Sequence, residues 1–236
     1  MIRFMSIAAI STLALTLSCA GTQSIREQKA TGNERIQTSI DVLNSLVSIP
    51  EQTIPEAVLR DAKGVAIIPG VLKGAFIIGG RYGNGVMVAK QRNGVWSYPG
   101  FIELRGGSIG WQWGVESVDL VLVFRTQRSV DAAAGGQFTL GAGASVSAGP
   151  VGRSASAMTD EQLSAEIYSY ARSRGLFLGV SLQGASIGID NTLNGAFYGM
   201  QNVSSYEIYS GAIKSSSAPD AAERLRKVVA SVTGGQ

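Results

Sequence analysis

Histidine is absent from the 236 residues, and cysteine occurs once, at position 19. These two shortages remove Ser-His-Asp and Cys-His nucleophilic catalysis, His-ligated zinc and the HExxH metalloproteases. A lone thiol cannot close an internal disulfide, so an exported chain carrying one needs another use for it. Charge is scarce as well: charged residues make up 16% of the chain, and 20 basic against 17 acidic residues give a net charge of +3. That balance does not indicate a nucleic-acid binder. Glycine, by contrast, is plentiful at 30 residues, well above the usual ~7%. Together with 45% apolar content, it points to tightly packed sheet rather than disorder.

The glycine clusters do not form a phosphate loop. Gly106 to Gly110 and Gly141 to Gly143 match neither G-x-G-x-x-G nor a Walker loop ending in Lys-Ser/Thr. They read as tight turns and close strand approaches. Glu161 and Glu166 are the best candidates for a paired-carboxylate site, but nothing in their spacing fixes the separation such chemistry needs. Glu166 is expected on the solvent face of a strand. The aromatics Trp96, Tyr98, Phe101, Trp111 and Trp113 read as core and sheet surface. We therefore expect no catalytic residues, no metal and no cofactor: the chain reads as a non-enzyme.

The amino terminus reads as an export signal. Arg3 precedes an uncharged, mostly Ile/Ala/Leu run from Phe4 to Leu17. This is shorter than the ~20 residues a membrane-spanning helix requires and fits the core of a secretory leader. Ser18-Cys19-Ala20-Gly21 is similar to a bacterial lipobox, with Thr16 where Leu or Val is usual. A cut after Ala20 also satisfies the small-x-small rule, but lipidation of Cys19 accounts for the lone thiol. Ala20, rather than Asp, after the cysteine points to the outer membrane, facing the periplasm. The expected division is a signal peptide at 1–18, a tether at 19–33 and one domain at 34–236. Loss of Arg3 with the leader leaves 19 basic and 17 acidic residues, a net +2.

Within the domain, Ile36, Ile40, Leu43 and Val47 recur at helical spacing. Thr53 and Glu56 have capping-box spacing with Pro55 between them, predicting a second helix that stops at Gly64, with Lys63 in its last turn. Then the period changes. Val65–Ile68, Ala75–Ile78 and Val86–Ala89 are short apolar runs, and Asn93-Gly94 is a strong hairpin signal. Val118–Phe124 reads as a central strand, Arg128–Ala134 as one or two helical turns and Phe138–Ala148 as a strand. Ala165–Arg172 and Leu176–Leu182 alternate at period two, and Ser217–Val232 closes the chain as a helix. The fold class expected is α+β, a mainly antiparallel sheet of many short strands flanked by N- and C-terminal helices.

Charge is unevenly placed. From Arg60 to Arg92 six basic residues face a single acid, Asp61. Such a stretch is either a solvated sheet rim or a surface for anionic head groups, each cation near such a surface contributing about 1 kcal/mol. Lys63, Lys73, Arg81, Lys90 and Arg92 are the candidate contacts. The first helix has balanced charge, which argues for packing rather than electrostatic attraction to a membrane.

Several of these segments together resemble the SYLF domain family. The matching blocks are Asp61-Ala-Lys-Gly-Val-Ala-Ile-Ile-Pro69, Lys73-Gly-Ala-Phe-Ile-Ile-Gly-Gly-Arg81, Gly85-Val-Met-Val-Ala89, Trp96-Ser-Tyr-Pro99 and Gly106-Gly-Ser-Ile-Gly110. Further matches are Asp119-Leu-Val-Leu-Val-Phe124, Gly149-Pro-Val-Gly-Arg153, Tyr168 to Gly184 and Phe197-Tyr-Gly199. The resemblance covers roughly residues 34 to 205 and implies lipid binding. Eukaryotic relatives bind phosphoinositides and remodel membranes, and yeast members also bind actin. For an envelope lipoprotein it implies a bacterial anionic phospholipid, with phosphoinositide-like head groups as the chemical pattern. The alternative is a non-catalytic lipoprotein supporting an envelope protein assembly. Under the lipidation reading, Cys19→Ser releases the protein into the soluble periplasmic fraction or leaves the precursor uncut. A mature chain found by mass spectrometry to begin at Gly21 would refute it.

Overall fold

The computed structural model describes residues 6–47, 54–74, 80–107, 117–136, 138–151, 164–173 and 176–234. Helix α1 (Ser6–Val47) leads to the short α2 (Glu56–Arg60). The strands are β1 (Gly64–Gly74), β2 (Gly80–Ala89), β3 (Gly100–Gly107), β4 (Ser117–Phe124), β5 (Phe138–Thr139), β6 (Val146–Ala148), β7 (Ile167–Ser173), β8 (Leu176–Gly179) and β9 (Ser186–Ile189). Helix α3 (Gln127–Ala134) follows β4, and α4 (Asn191–Tyr198), α5 (Ser205–Ser210) and α6 (Asp220–Val232) close the chain. The strands form one sheet ordered β5-β9-β3-β2-β1-β4-β7-β6, with β8 also paired to β7. All pairings are antiparallel except β6 with β7. This is the α+β, mainly antiparallel architecture expected, with α1 and α6 at the two ends and four more α-helices between them among the described residues.

The centre of the sheet is apolar on both faces. Val65–Ile68, Val86–Ala89 and Leu120–Phe124 are each at most 2% exposed. Pro69 and Gly70 interrupt β1, and its register shifts there against both β2 and β4. Proline lacks the amide a central ladder needs, so a bulge is where it can be accommodated. Gly70 takes φ +61. Its amide donates to Asp119 Oδ1 at 3.0 Å, while Arg172 holds the other oxygen of that carboxylate at 3.4 Å.

Helix α1 buries Ile36, Ile40 and Leu43, as their spacing predicts, and packs along α6 and α4. It also reaches further back than expected: the stretch 19–33, read as a tether, is helical here. Gly32 explains part of this, because a Cβ there would lie 2.6 Å from Phe197 Cδ2. The absent side chain lets α1 close on α4 one turn before its apolar stripe begins. Arg35 continues the contact, pairing with Asp190 at 3.4 Å and lying 5.7 Å above the Phe101 ring. Among the described residues no helix is long and apolar enough to cross a membrane.

Three further expectations change. Helix α2 ends at Arg60 with Asp61 as its cap, so Gly64 is not a helix stop and Lys63 is not in the last turn. Gly64 opens β1 instead, and a Cβ on it would meet Val130 Cγ2 at 2.9 Å. Phe138–Ala148 is two short strands separated by a turn, with Gly141 at φ +89. The expected run Ala75–Ile78 and the cap residue Thr53 lie outside the described residues.

Tyr168 and Tyr170 share one face of β7, and both are buried. The Tyr170 ring lies where a Cβ of Gly149 would be, and Gly179 closes on the Gly149 carbonyl in the same way. Gly149→Ala should therefore lower stability by about 1–3 kcal/mol through overpacking. Gly188→Ala, where an added Cβ meets nothing within 4 Å, should be near neutral. Denaturant titration of both variants checks the contrast; equal losses would contradict it.

Candidate functional site

The candidate cations lie within β1 and β2 or just beyond their ends, and the antiparallel pairing of these strands sorts them into two groups. Lys63 and Lys90 meet at one end of the sheet: the Lys90 amide donates to the Lys63 carbonyl at 2.7 Å, and the Lys63 amide donates to Phe124 O at 2.7 Å. Arg92 follows in the turn. Lys73 and Arg81 are directly opposed partners toward the other end of β1 and β2. Ten residues of strand separate Lys63 from Lys73, about 30 Å at ~3.3 Å per residue. The side chains of Lys73 and Arg81 lie outside the described residues.

The turn after β2 is well fixed. Gly94 has φ +84; its amide donates to Gln91 O at 2.9 Å, and the Gln91 amide donates to Val95 O at 2.9 Å. Asn93 accepts from the Val95 amide through its side chain at 3.0 Å. Behind the turn, the Trp96 indole N–H donates to Thr233 Oγ1 at 3.1 Å, tying it to the end of α6. The Lys90 ammonium lies 5.8 Å over the Trp96 ring, and Arg226 lies 5.0 Å over Tyr98. Burial, and then the Glu223 carboxylate, raise the Tyr98 hydroxyl above its ordinary range. Trp96, Tyr98 and Phe101 are buried core residues; Trp111 and Trp113 lie outside the described residues.

Lys63 and Arg92 are exposed and form no ion pair among the described residues, whereas Lys90 is half-buried. A cleft of about 460 Å³ opens beside the turn, between it, α3 and α5, lined by Lys90, Arg92, Gln127, Asp131 and Tyr206 among others. A wider groove of about 710 Å³ lies between the turn and α6, with Val95 and Lys227 on its walls. Sequence reading missed Tyr206, Lys227 and, at the far end, Arg105, which opposes Tyr82 across β2 and β3. They come from segments far apart in the chain, and no local spacing announces them.

Glu166 is held in place rather than free to act. Arg128 grips it through Nε at 3.0 Å and Nη2 at 2.9 Å, the Ser145 amide donates at 3.0 Å, and Thr126 Oγ1 donates at 3.3 Å. The Arg128 guanidinium first, then the Ser145 amide, bring its carboxyl down to about 2 from an ordinary 4.5. It joins α3, β6 and β7 as a structural clasp. Its partner Glu161 lies outside the described residues, and no group of three or more metal-binding side chains forms among the described residues.

In class, then, this is an α+β domain whose distinctive chemistry sits at the rims of its sheet. The family described as "Ysc84: Las17-binding protein actin regulator" matches residues 105–232, and the chain belongs to it. Similar proteins include Protein YSC84 of Saccharomyces cerevisiae, 41% identical over 77% of this chain and 38% of its own length. LAS seventeen-binding protein 3 of the same yeast is 41% identical over 77% of this chain and 39% of its own. SH3 domain-containing YSC84-like protein 1 of Xenopus laevis is 36% identical over 78% and 54%. The chain thus spans between two fifths and about half of these relatives. The family description and the name of LAS seventeen-binding protein 3 speak of binding, and none of these names states a reaction.

The Glu166 clasp has a pH signature. Its folded carboxyl titrates near 2 and its unfolded one near 4.5, so the stability it adds is full above about 4.5 and disappears as pH falls through 2. Because the pair borders solvent, Glu166→Gln should lower Tm at neutral pH by only about 2–4 °C. The gap between the two proteins should close between pH 4.5 and 2. A gap that stays constant across that range would show that the charge is not what matters.

Proposed function

We propose that this chain is a lipid-anchored envelope protein whose domain is a non-catalytic contact module for anionic phospholipid. The observation that carries the reading is the meeting of Lys63, Lys90 and Arg92 at one end of the sheet, from positions nearly thirty residues apart. Lys73 and Arg81 are candidates for a second contact at the other end. Exposed cations without carboxylate partners suit phosphate groups of a bilayer, and cations clustered near such a surface act together. Acylation at Cys19 would keep the domain in the outer membrane, facing the periplasm, and the SYLF resemblance points to the same ligand chemistry. The names of the relatives support a second reading, in which the surface serves an envelope protein partner.

The test uses the full chain carrying Cys19→Ser, so that any acyl anchor is removed, and compares phosphatidylglycerol or cardiolipin vesicles with phosphatidylcholine. Binding to the anionic vesicles should exceed binding to the neutral ones, and the excess should fall steeply with salt, because exposed charges are screened over about 8–10 Å at physiological ionic strength. Charge reversal at Lys63 and Arg92 should reduce the excess without moving the melting temperature. Equal, salt-independent binding to both vesicle types would defeat the proposal. Stoichiometric recovery of an envelope protein with no vesicle binding would favour the partner reading.

A further inference from the structure

Exposed apolar side chains are few among the described residues, and two of them flank the Gln91–Val95 turn. Tyr206 is 72% exposed, more than any other large hydrophobic there, and Val95 is 45% exposed. Tyr206 stands on the cleft side of the turn together with Arg92; Val95 stands on the groove side together with Lys227. Tyr206 makes no hydrogen bond or ring contact among the described residues. It is nevertheless held on fixed backbone: Ser204 and Glu207 form a reciprocal capping box at the start of α5, with Ser204 N donating to Glu207 Oε2 at 2.8 Å and Glu207 N donating to Ser204 Oγ at 3.2 Å.

The neighbouring acids are already engaged. Asp131 accepts from Gln127 at 2.8 Å, Glu223 is held by Arg226 at 2.8 Å and more distantly by Lys227 at 3.8 Å, and Asp61 pairs with Arg125 at 3.6 Å. Asp131 and Glu207 are bonded only to neutral groups and keep their charge, so Lys63, Lys90 and Arg92 set the sign of this end by outnumbering them. The other end of the sheet differs. Tyr82 is also exposed there, but its hydroxyl donates to Asn84 at 3.2 Å, and its cross-strand neighbour Arg105 is paired with Glu103.

We infer that the Gln91–Val95 turn is the leading edge of the domain against an anionic bilayer, with Tyr206 and Val95 seated at head-group depth and Lys63 and Arg92 against the phosphates. This rests on the lipid reading above and adds which end makes contact and that the contact has an apolar part. A tyrosine suits that depth because its ring is apolar and its hydroxyl can remain in water. The occupant is a bilayer rather than a free phosphate compound, since an isolated head group would leave Tyr206 and Val95 uncovered.

The test again uses the full chain with Cys19→Ser, which leaves no other thiol. Tyr206→Cys, Val95→Cys and Tyr82→Cys are each labelled with an environment-sensitive fluorophore and mixed with phosphatidylglycerol vesicles. Labels at 206 and 95 should shift to the blue and the label at 82 should not. Tyr206→Ala should weaken partitioning about fivefold, roughly the effect of partly burying one such side chain, with an unchanged salt dependence and melting temperature. A shift at 82 alone, equal shifts at all three sites, or vesicle binding with no shift at any site would overturn the inference while leaving the lipid reading in place. No binding to anionic vesicles would remove both.

Discussion

Burial of β1 between β2 and β4 is the constraint from which the rest of the surface follows. These three strands contribute thirteen residues in Val65–Ile68, Val86–Ala89 and Leu120–Phe124 that are almost wholly removed from solvent. No charge can be placed among them without a desolvation cost far above what one surface contact returns. Basic residues carried by β1 and β2 are therefore confined to the strand ends. Because the strands are antiparallel, the end of one lies beside the start of the next, and Lys63 meets Lys90 while Lys73 meets Arg81. The two basic rims follow from an apolar centre and from the direction of the chain.

The same constraint separates what could be read from the sequence from what could not. Unbroken apolar runs announced β1, β2 and β4, and Asn93-Gly94 announced the turn, because each signal lies within a few neighbouring residues. The α1 stripe was legible for the same reason, since Ile36, Ile40 and Leu43 mark one helical face. The stretch of α1 before that stripe was not legible: residues 24–33 are mostly polar, and their helix is held by Gly32 against Phe197, a contact across 165 positions. Gly64 misled for a related reason. Next to a short helix it reads as a stop, yet its bareness answers to Val130 in a different element. Helices α4 and α5 have 8 and 6 residues, too few turns for an apolar period to declare itself, although Ser204 and Glu207 already had capping-box spacing.

Of the candidate site, the cations were legible as a local excess of charge, but their division was not. A window from Arg60 to Arg92 treats its six basic residues as one patch, and only strand pairing reveals two. The cleft is harder still. It joins the turn after β2 to α3 and α5, so Arg92 and Tyr206 come together across more than a hundred residues. Composition cannot signal such a meeting, because an exposed tyrosine is unremarkable until its neighbours are known.

The contact proposed for this turn is small, and its size agrees with a tethered domain. Two free cations contribute about 1 kcal/mol each near an anionic surface, and a tyrosine and a valine that are already partly buried can add only a similar amount. Such a sum gives weak, readily reversible binding in free solution. An acyl anchor changes the problem, because the second contact then occurs at an effective concentration set by the linkage and not by dilution. Under that condition weak binding has an advantage: salt, lipid composition or a competing protein can shift the domain between a docked and an undocked state. The rigid placement of the turn, through Trp96 to Thr233 and through the bonds around Gly94, contributes here as well. With little conformational entropy left to lose on docking, a contact of this size need not first order the surface that makes it.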